Sequence, residues 1–180
     1  MTPRLRKFAL ASHVAVSVGW LGAVVAFLGL AIIGLTSQSP QTVRGSYLVM
    51  EPVALFVLVP LAFASLLTGI IESLGTAWGL IRHYWVLFKL LINLVATAIL
   101  LMYTQTVSVM AGIAADTTTD LDAVRNPSPL VHTLLALLML LAANALAVFK
   151  PRGMTRYGHL KQSDTRRKAE LSPSMGRLQR

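Results

Sequence analysis

Residues 84–113 read YWVLFKLLINLVATAILLMYTQTVSVMAGI, thirty positions in which Lys89 is the only formal charge. A hydrocarbon core of about 30 Å is crossed by about 20 helical residues, each rising about 1.5 Å. The run is long enough to cross. With no water to satisfy its backbone, it must be a helix or part of a closed barrel. It lacks the in–out alternation of a barrel strand, so it reads as a membrane helix.

Three more runs have this character: about Phe8 to Leu35, Met50 to Ile71 and Leu130 to Phe149. Pro52 falls in the first turn of the second run, and Pro60 predicts a kink within it. The first run has a basic start, but its apolar stretch exceeds the roughly 7–15 residues of a signal-peptide core. It is therefore expected to be retained. Short connections at 36–46 and 75–83 predict an all-α, antiparallel four-helix transmembrane bundle over residues 1–150. Gly19, Gly22, Ala26 and Gly29 place small residues on the first helix where close packing in lipid would use them. The remainder, 151–180, is polar and basic, and composition predicts that most of it is disordered.

Composition agrees with a membrane chain. Of 180 residues, 55% are hydrophobic and 13% charged, against about 25% charged in soluble domains. The absence of cysteine excludes disulfides, thiolate metal sites, iron–sulfur clusters and a cysteine nucleophile. Net charge is +9, and nine of the sixteen basic residues lie from Lys150 onward. Such a tail beside a membrane segment points to anionic lipid headgroups rather than nucleic acid. Placing the N-terminus inside puts fourteen basic residues in the cytoplasm, with only Arg44 and Arg125 across the membrane. The positive-inside rule therefore places both termini in the cytoplasm, in a plasma-membrane protein. Arg82 and His83 read as anchors at the cytoplasmic boundary, and Trp78, Tyr84 and Trp85 as interfacial belt aromatics.

Polar residues within spans are expensive and are functional hypotheses by default. Measured from the helix ends, they form two layers. The inner layer holds His13, Thr68, Glu72, Lys89, Asn93 and Asn144, with Lys89 and Asn93 on one face and Glu72 in reach of Lys89 or Arg82. The outer layer holds Tyr47, Glu51, Gln105 and His132, with Glu51 and His132 as expected partners. Two readings stay open for the central groups. Lys89 either snorkels to the interface or serves a site. His13 is either a hydrogen-bonded interhelical histidine or a ligand of haem or metal, although His13 and His132 lie too far apart in depth to share one haem. Phosphate-binding glycine loops, HExxH and GxSxG are absent, and no set of residues reads as a metal site.

HVAVSVGWLGAVVAFLGLA (13–31), LAFASLLTGIIESLGTAWGLIRHYWVLFKLLINLVATAILL (61–101) and VFKPRGMTRYG (148–158) resemble a bacterial, actinobacterial-type family of predicted integral membrane proteins of unknown function. GTAWGLIRHYWVLFK and KPRGMTRYG are the most specific pieces. More distantly, His13 with Gly19-Trp20-Leu21-Gly22, followed by Trp85 and Lys89, resembles copper-resistance membrane proteins of CopD type and protoporphyrinogen oxidases of HemJ type. That likeness implies porphyrin or metal contact at His13 and Lys89, with haem b as the implied cofactor. The expectation from the residues themselves is a binding or interaction protein, with a membrane-protein partner or a second copy against its bundle faces. A haem- or porphyrin-linked oxidoreductase and a small transporter or ion conductor are the alternatives.

Overall fold

The computed structural model describes residues 2–76 and 79–175; the belt reading of Trp78 lies outside the described residues. Helix α1 spans Pro3–Thr36. Thr2 caps it by accepting from the Leu5 amide at 3.4 Å, and Pro3 occupies the first turn, where no N–H is required. The second span is α2, Pro40–Val53, which passes through one widened turn at Ala54–Leu58 into α3, Val59–Gly75. Then follow α4, Tyr84–Ala115, the short α5, Leu121–Val124, and α6, Ser128–Phe149. Four segments are long and apolar enough to cross a membrane: α1, α2–α3, α4 and α5–α6. They pack as an antiparallel bundle in which α1 touches α2, α3 and α6, and α4 touches the same three. Four crossings bring the start of α1 and the end of α6 to one end of this multi-pass protein, here the termini end, opposite the far end.

The second span differs from its sequence reading. It begins at Pro40, ten residues before Met50, because Ser39 accepts from the Thr42 amide at 3.4 Å and Pro40 supplies a preformed first turn. The connection from α1 is only residues 37–39. Pro52 consequently sits inside the helix rather than in its first turn. It cannot donate to the preceding turn, and the wide turn directly after it takes up the altered register. Pro60 then lies in the opening turn of α3.

The small-residue stripe on α1 is not the packing face. Gly22 and Gly29 have open space where a Cβ would stand, and Gly19 only ordinary contact with Leu61. The buried stripe is Trp20, Val24, Phe27 and Ala31, which meets Met50, Leu58, Val107 and Leu140 in one core. Large residues on the other faces, such as Phe56, Met102 and Leu138, form the surface offered to lipid. Apolar residues surround each helix on all sides, so periodicity could not show which face was inside. The close-approach glycines lie elsewhere. At Gly34 a Cβ would be 3.0 Å from the Tyr47 ring, and at Gly69 3.1 Å from the His13 ring.

The tail departs most from expectation. Helix α6 stops at Lys150, whose left-handed backbone (φ 42°) precedes Pro151, and the chain turns back under the bundle. The Thr155 amide donates to the Arg82 carbonyl at 2.9 Å and its hydroxyl to the Ile81 carbonyl at 2.7 Å. His83 and Met154 form an antiparallel bridge. Thr155 then caps α7, Arg156–Met175, by accepting from the Gly158 amide at 3.1 Å. A helix therefore occupies much of the stretch expected to be disordered. Low hydrophobicity predicted disorder, but a capped start and a run rich in Arg, Lys, Gln, Ala and Glu favour a helix locally.

Candidate functional site

His13 stands ten residues into α1 and Lys89 five into α4, the first and third spans, which run in the same direction and start at the same end. In the fold they meet. Lys89 Nζ lies 2.9 Å from His13 Nε2, and His13 Nδ1 lies 3.0 Å from Thr68 Oγ1. An ammonium only donates, so Nε2 accepts from it and Nδ1 carries the ring proton toward Thr68. The Thr68 hydroxyl in turn donates to the Ala64 carbonyl at 2.6 Å. Glu72, one turn further along α3, brings Oε2 to 3.9 Å from the same Nε2. An ammonium and a carboxylate thus flank one buried imidazole.

This assembly depends on residues that the two-layer reading missed. Gly69 lets the His13 ring lie directly against α3; a Cβ there would stand 3.1 Å from the ring and press it back. Ser17 and Ser65 bond hydroxyl to hydroxyl at 3.2 Å, tying α1 to α3 one turn further from the termini end. Serines and a glycine carry no strong signal in an apolar sequence. Ser17 lies four residues from His13 and Ser65 three from Thr68, a spacing legible only once the pairing of α1 with α3 is known.

The network opens into a cavity of about 340 Å³ at the termini end. Lys89, Glu72, Asn93, Asn144, Trp85 and Lys150 are among its lining residues. The inner layer therefore does converge, with His13 standing between Glu72 and Lys89. Asn144 Nδ2 donates to the Leu140 carbonyl at 3.0 Å. Among the described residues His13 is the sole hydrogen-bond partner of the Lys89 ammonium. An ammonium has three donors, so two remain for whatever enters the cavity. Snorkelling alone does not describe this lysine, because its head turns to another helix.

The outer layer does not converge. Glu51 accepts from the Ser108 hydroxyl at 2.5 Å, whereas His132 bonds to Ser128 of its own helix and stacks on Tyr103 at 4.0 Å. The expected Glu51–His132 pair is not formed: Glu51 turns to α4 and His132 to Ser128 and Tyr103. Gln105 is exposed. Tyr47 is buried, and its hydroxyl donates to the Asn126 carbonyl at 3.0 Å while accepting the Asn126 amide at 2.8 Å. Arg44 and Arg125, the two cations on the far side, clamp helix ends. Arg44 donates to the carbonyls of Ala114, Asp116 and Thr119, and Arg125 to those of Leu35 and Ser37. Both satisfy carbonyls that a helix C-terminus leaves open.

The arrangement fits a haem or metal poorly. Both ring nitrogens of His13 are engaged, by Thr68 and Lys89, and a ligand nitrogen must be open. His132 belongs to the other half of the bundle. Among the described residues no three His, Asp or Glu side chains gather as a metal site would need. Arg82 and His83, read as anchors, lend their backbone to the tail junction, Arg82 through its carbonyl and His83 through its bridge to Met154. No family model, curated protein or solved structure matches this chain.

Proposed function

We propose that this is a plasma-membrane binding protein with both termini cytoplasmic, whose inner-leaflet cavity holds an anionic headgroup on Lys89. The observation that carries this reading is the Lys89 ammonium, fixed by His13 at the edge of a 340 Å³ cavity with donors left over. Around it stand neutral donors and acceptors, Asn93, Asn144, Ser73 and Thr76, with Lys150 at the rim. Such a set suits a phosphate or carboxylate whose apolar remainder lies in the inner leaflet. The basic tail adds attraction for the same leaflet, at roughly 1 kcal/mol per cation near the surface.

The test is titration of the full-length protein in nanodiscs with short-chain phosphatidate, followed by Trp85 emission, against phosphatidylcholine as reference. Saturable binding of the phosphatidate is expected, weakened at least about tenfold in Lys89→Met, as for loss of a charge-assisted contact. Equal binding by Lys89→Met, or no saturation, would overturn the reading. A chain ended after Leu160 keeps the junction at Thr155. It is expected to bind anionic vesicles more weakly, with less salt dependence, while retaining the cavity's affinity.

A further inference from the structure

A second cavity, of about 180 Å³, lies deeper in the bundle, between α1, the widened turn at Ala54–Leu58, α4 and α6. Its wall is apolar almost throughout, including Trp20, Phe27, Leu58, Leu100 and Met139. The α4 residues that line it run from Ala96 to Val107, a length of about 17 Å. It is a slot lying along the helices. Ile99 and Leu135 line it and are also 44% and 55% exposed on the lipid-facing surface, so the slot opens sideways toward lipid between α4 and α6.

His132 lines the end of this slot nearest the far side. Its Nδ1 is 2.9 Å from the Ser128 carbonyl. A carbonyl only accepts, so Nδ1 bears the proton and Nε2 of the neutral ring is an acceptor. The stack on Tyr103, with 18° between the rings, holds the imidazole in place. Nε2 has no hydrogen-bond partner among the described residues. Neighbouring hydroxyls are committed: Tyr103 bonds to Ser128, Thr133 to the Pro129 carbonyl and Thr104 to the Leu101 carbonyl. The O–H donors named here are thus spent and the slot offers acceptors, foremost the imidazole nitrogen His132 Nε2, in surroundings that penalise an unmatched donor or a charge.

We propose that this slot binds a membrane amphiphile made of one apolar chain ending in a hydroxyl, which enters from the lipid and donates its hydrogen bond to His132 Nε2. An ether or ester of the same shape has no hydrogen to give. An ammonium or carboxylate carries a charge that the slot does not balance. A straight fatty alcohol and a branched isoprenoid alcohol share the required chemistry.

Trp20 supplies a built-in sensor, because it lines the slot and is only 3% exposed to the surroundings. In full-length protein carrying Trp78→Phe and Trp85→Phe, quenching of Trp20 is measured in nanodiscs with ω-bromoundecanol and with its methyl ether. Saturable quenching is expected, with the alcohol binding up to about tenfold more tightly than the ether, the range of one hydrogen bond. His132→Phe keeps the aromatic stack and should erase the difference while leaving the ether's affinity unchanged. Ala136→Phe fills the slot and should abolish saturable quenching by both. Equal affinities in the parent protein, or quenching that only rises linearly with probe in the bilayer, would overturn the proposal. If His132→Phe does not fold, the alcohol-to-ether ratio in the parent decides alone. A competing straight alcohol and a competing polyprenol then distinguish the two sources, the native class being the one that displaces the probe at lower mole fraction.

Discussion

The two ends of the bundle use their polar residues differently. At the far end, Arg44, Arg125 and Tyr47 bond to backbone groups of helix ends and loops. At the termini end, His13, Lys89 and Thr68 bond to one another across three helices, and Lys89 and Glu72 face a cavity. Polar groups that satisfy backbone close a structure, because every carbonyl left bare in or near lipid carries a desolvation penalty. Polar groups that satisfy each other beside open space keep donors available to a ligand. The comparison sets backbone scaffolding by Arg44, Arg125 and Tyr47 at one end against the proposed headgroup cavity at the other.

Far-end substitutions should therefore change stability and leave phosphatidate binding alone. The largest effect is expected for Tyr47→Ala, which removes a fully buried ring resting on Gly34. Such a truncation costs about 3–5 kcal/mol, read as a lowered melting temperature in detergent. Arg125→Ala strips charged donors from the Leu35 and Ser37 carbonyls and should cost about 2 kcal/mol. Faster amide exchange at the end of α1 would accompany it. If either variant changed the affinity of Lys89's cavity as strongly as its stability, the division between the ends would fail.

At the termini end the balance should reverse. Gly69→Ala sets a methyl 3.1 Å from the His13 ring, so the ring must retreat by a few tenths of an ångström. The expected stability change is about 1 kcal/mol, whereas phosphatidate affinity should fall several-fold because the partner that fixes Lys89 has moved. An unchanged affinity would show that the ammonium is held without His13.

The smallest effect belongs to Asp116 in the far-end loop. Hydrogen bonds from the Thr118 hydroxyl and amide, and then from the Thr119 hydroxyl, hold its carboxyl below the ordinary range. A lowered folded pKa means that its contribution is complete above the ordinary carboxylate pKa and is lost as pH falls through the folded value. Exchange protection of the 116–119 turn should therefore drop on acidification into that range, and Asp116→Asn should flatten the dependence. A turn equally protected in parent and variant across that range would remove the carboxylate from the account.

Much of the fold was legible in sequence because lipid imposes one requirement that apolar length alone reveals. Spans α4 and α6 follow their runs closely, and the inner-layer residues were found by counting depth from helix ends. The sequence reading starts the second span too late because it puts Pro52 in the first turn and makes 36–46 the connection, when Ser39 and Pro40 set the actual start. The tail was misread because composition does not register a single capping threonine. KPRGMTRYG and GTAWGLIRHYWVLFK, the most distinctive stretches, turn out to contain the two sides of one junction: at Gly158 a Cβ would lie only 2.5 Å from the Arg82 carbonyl oxygen.

The sequence by itself determined a membrane chain of four helices and the depth of the inner-layer residues, since length, charge and the 1.5 Å rise fix both. Only the tertiary structure decided which residues face one another. In helices apolar on every side, rotation about the axis is set by packing between neighbours and leaves no mark in hydrophobicity. That rotation brings Lys89 to His13, and it turns His132 away from Glu51.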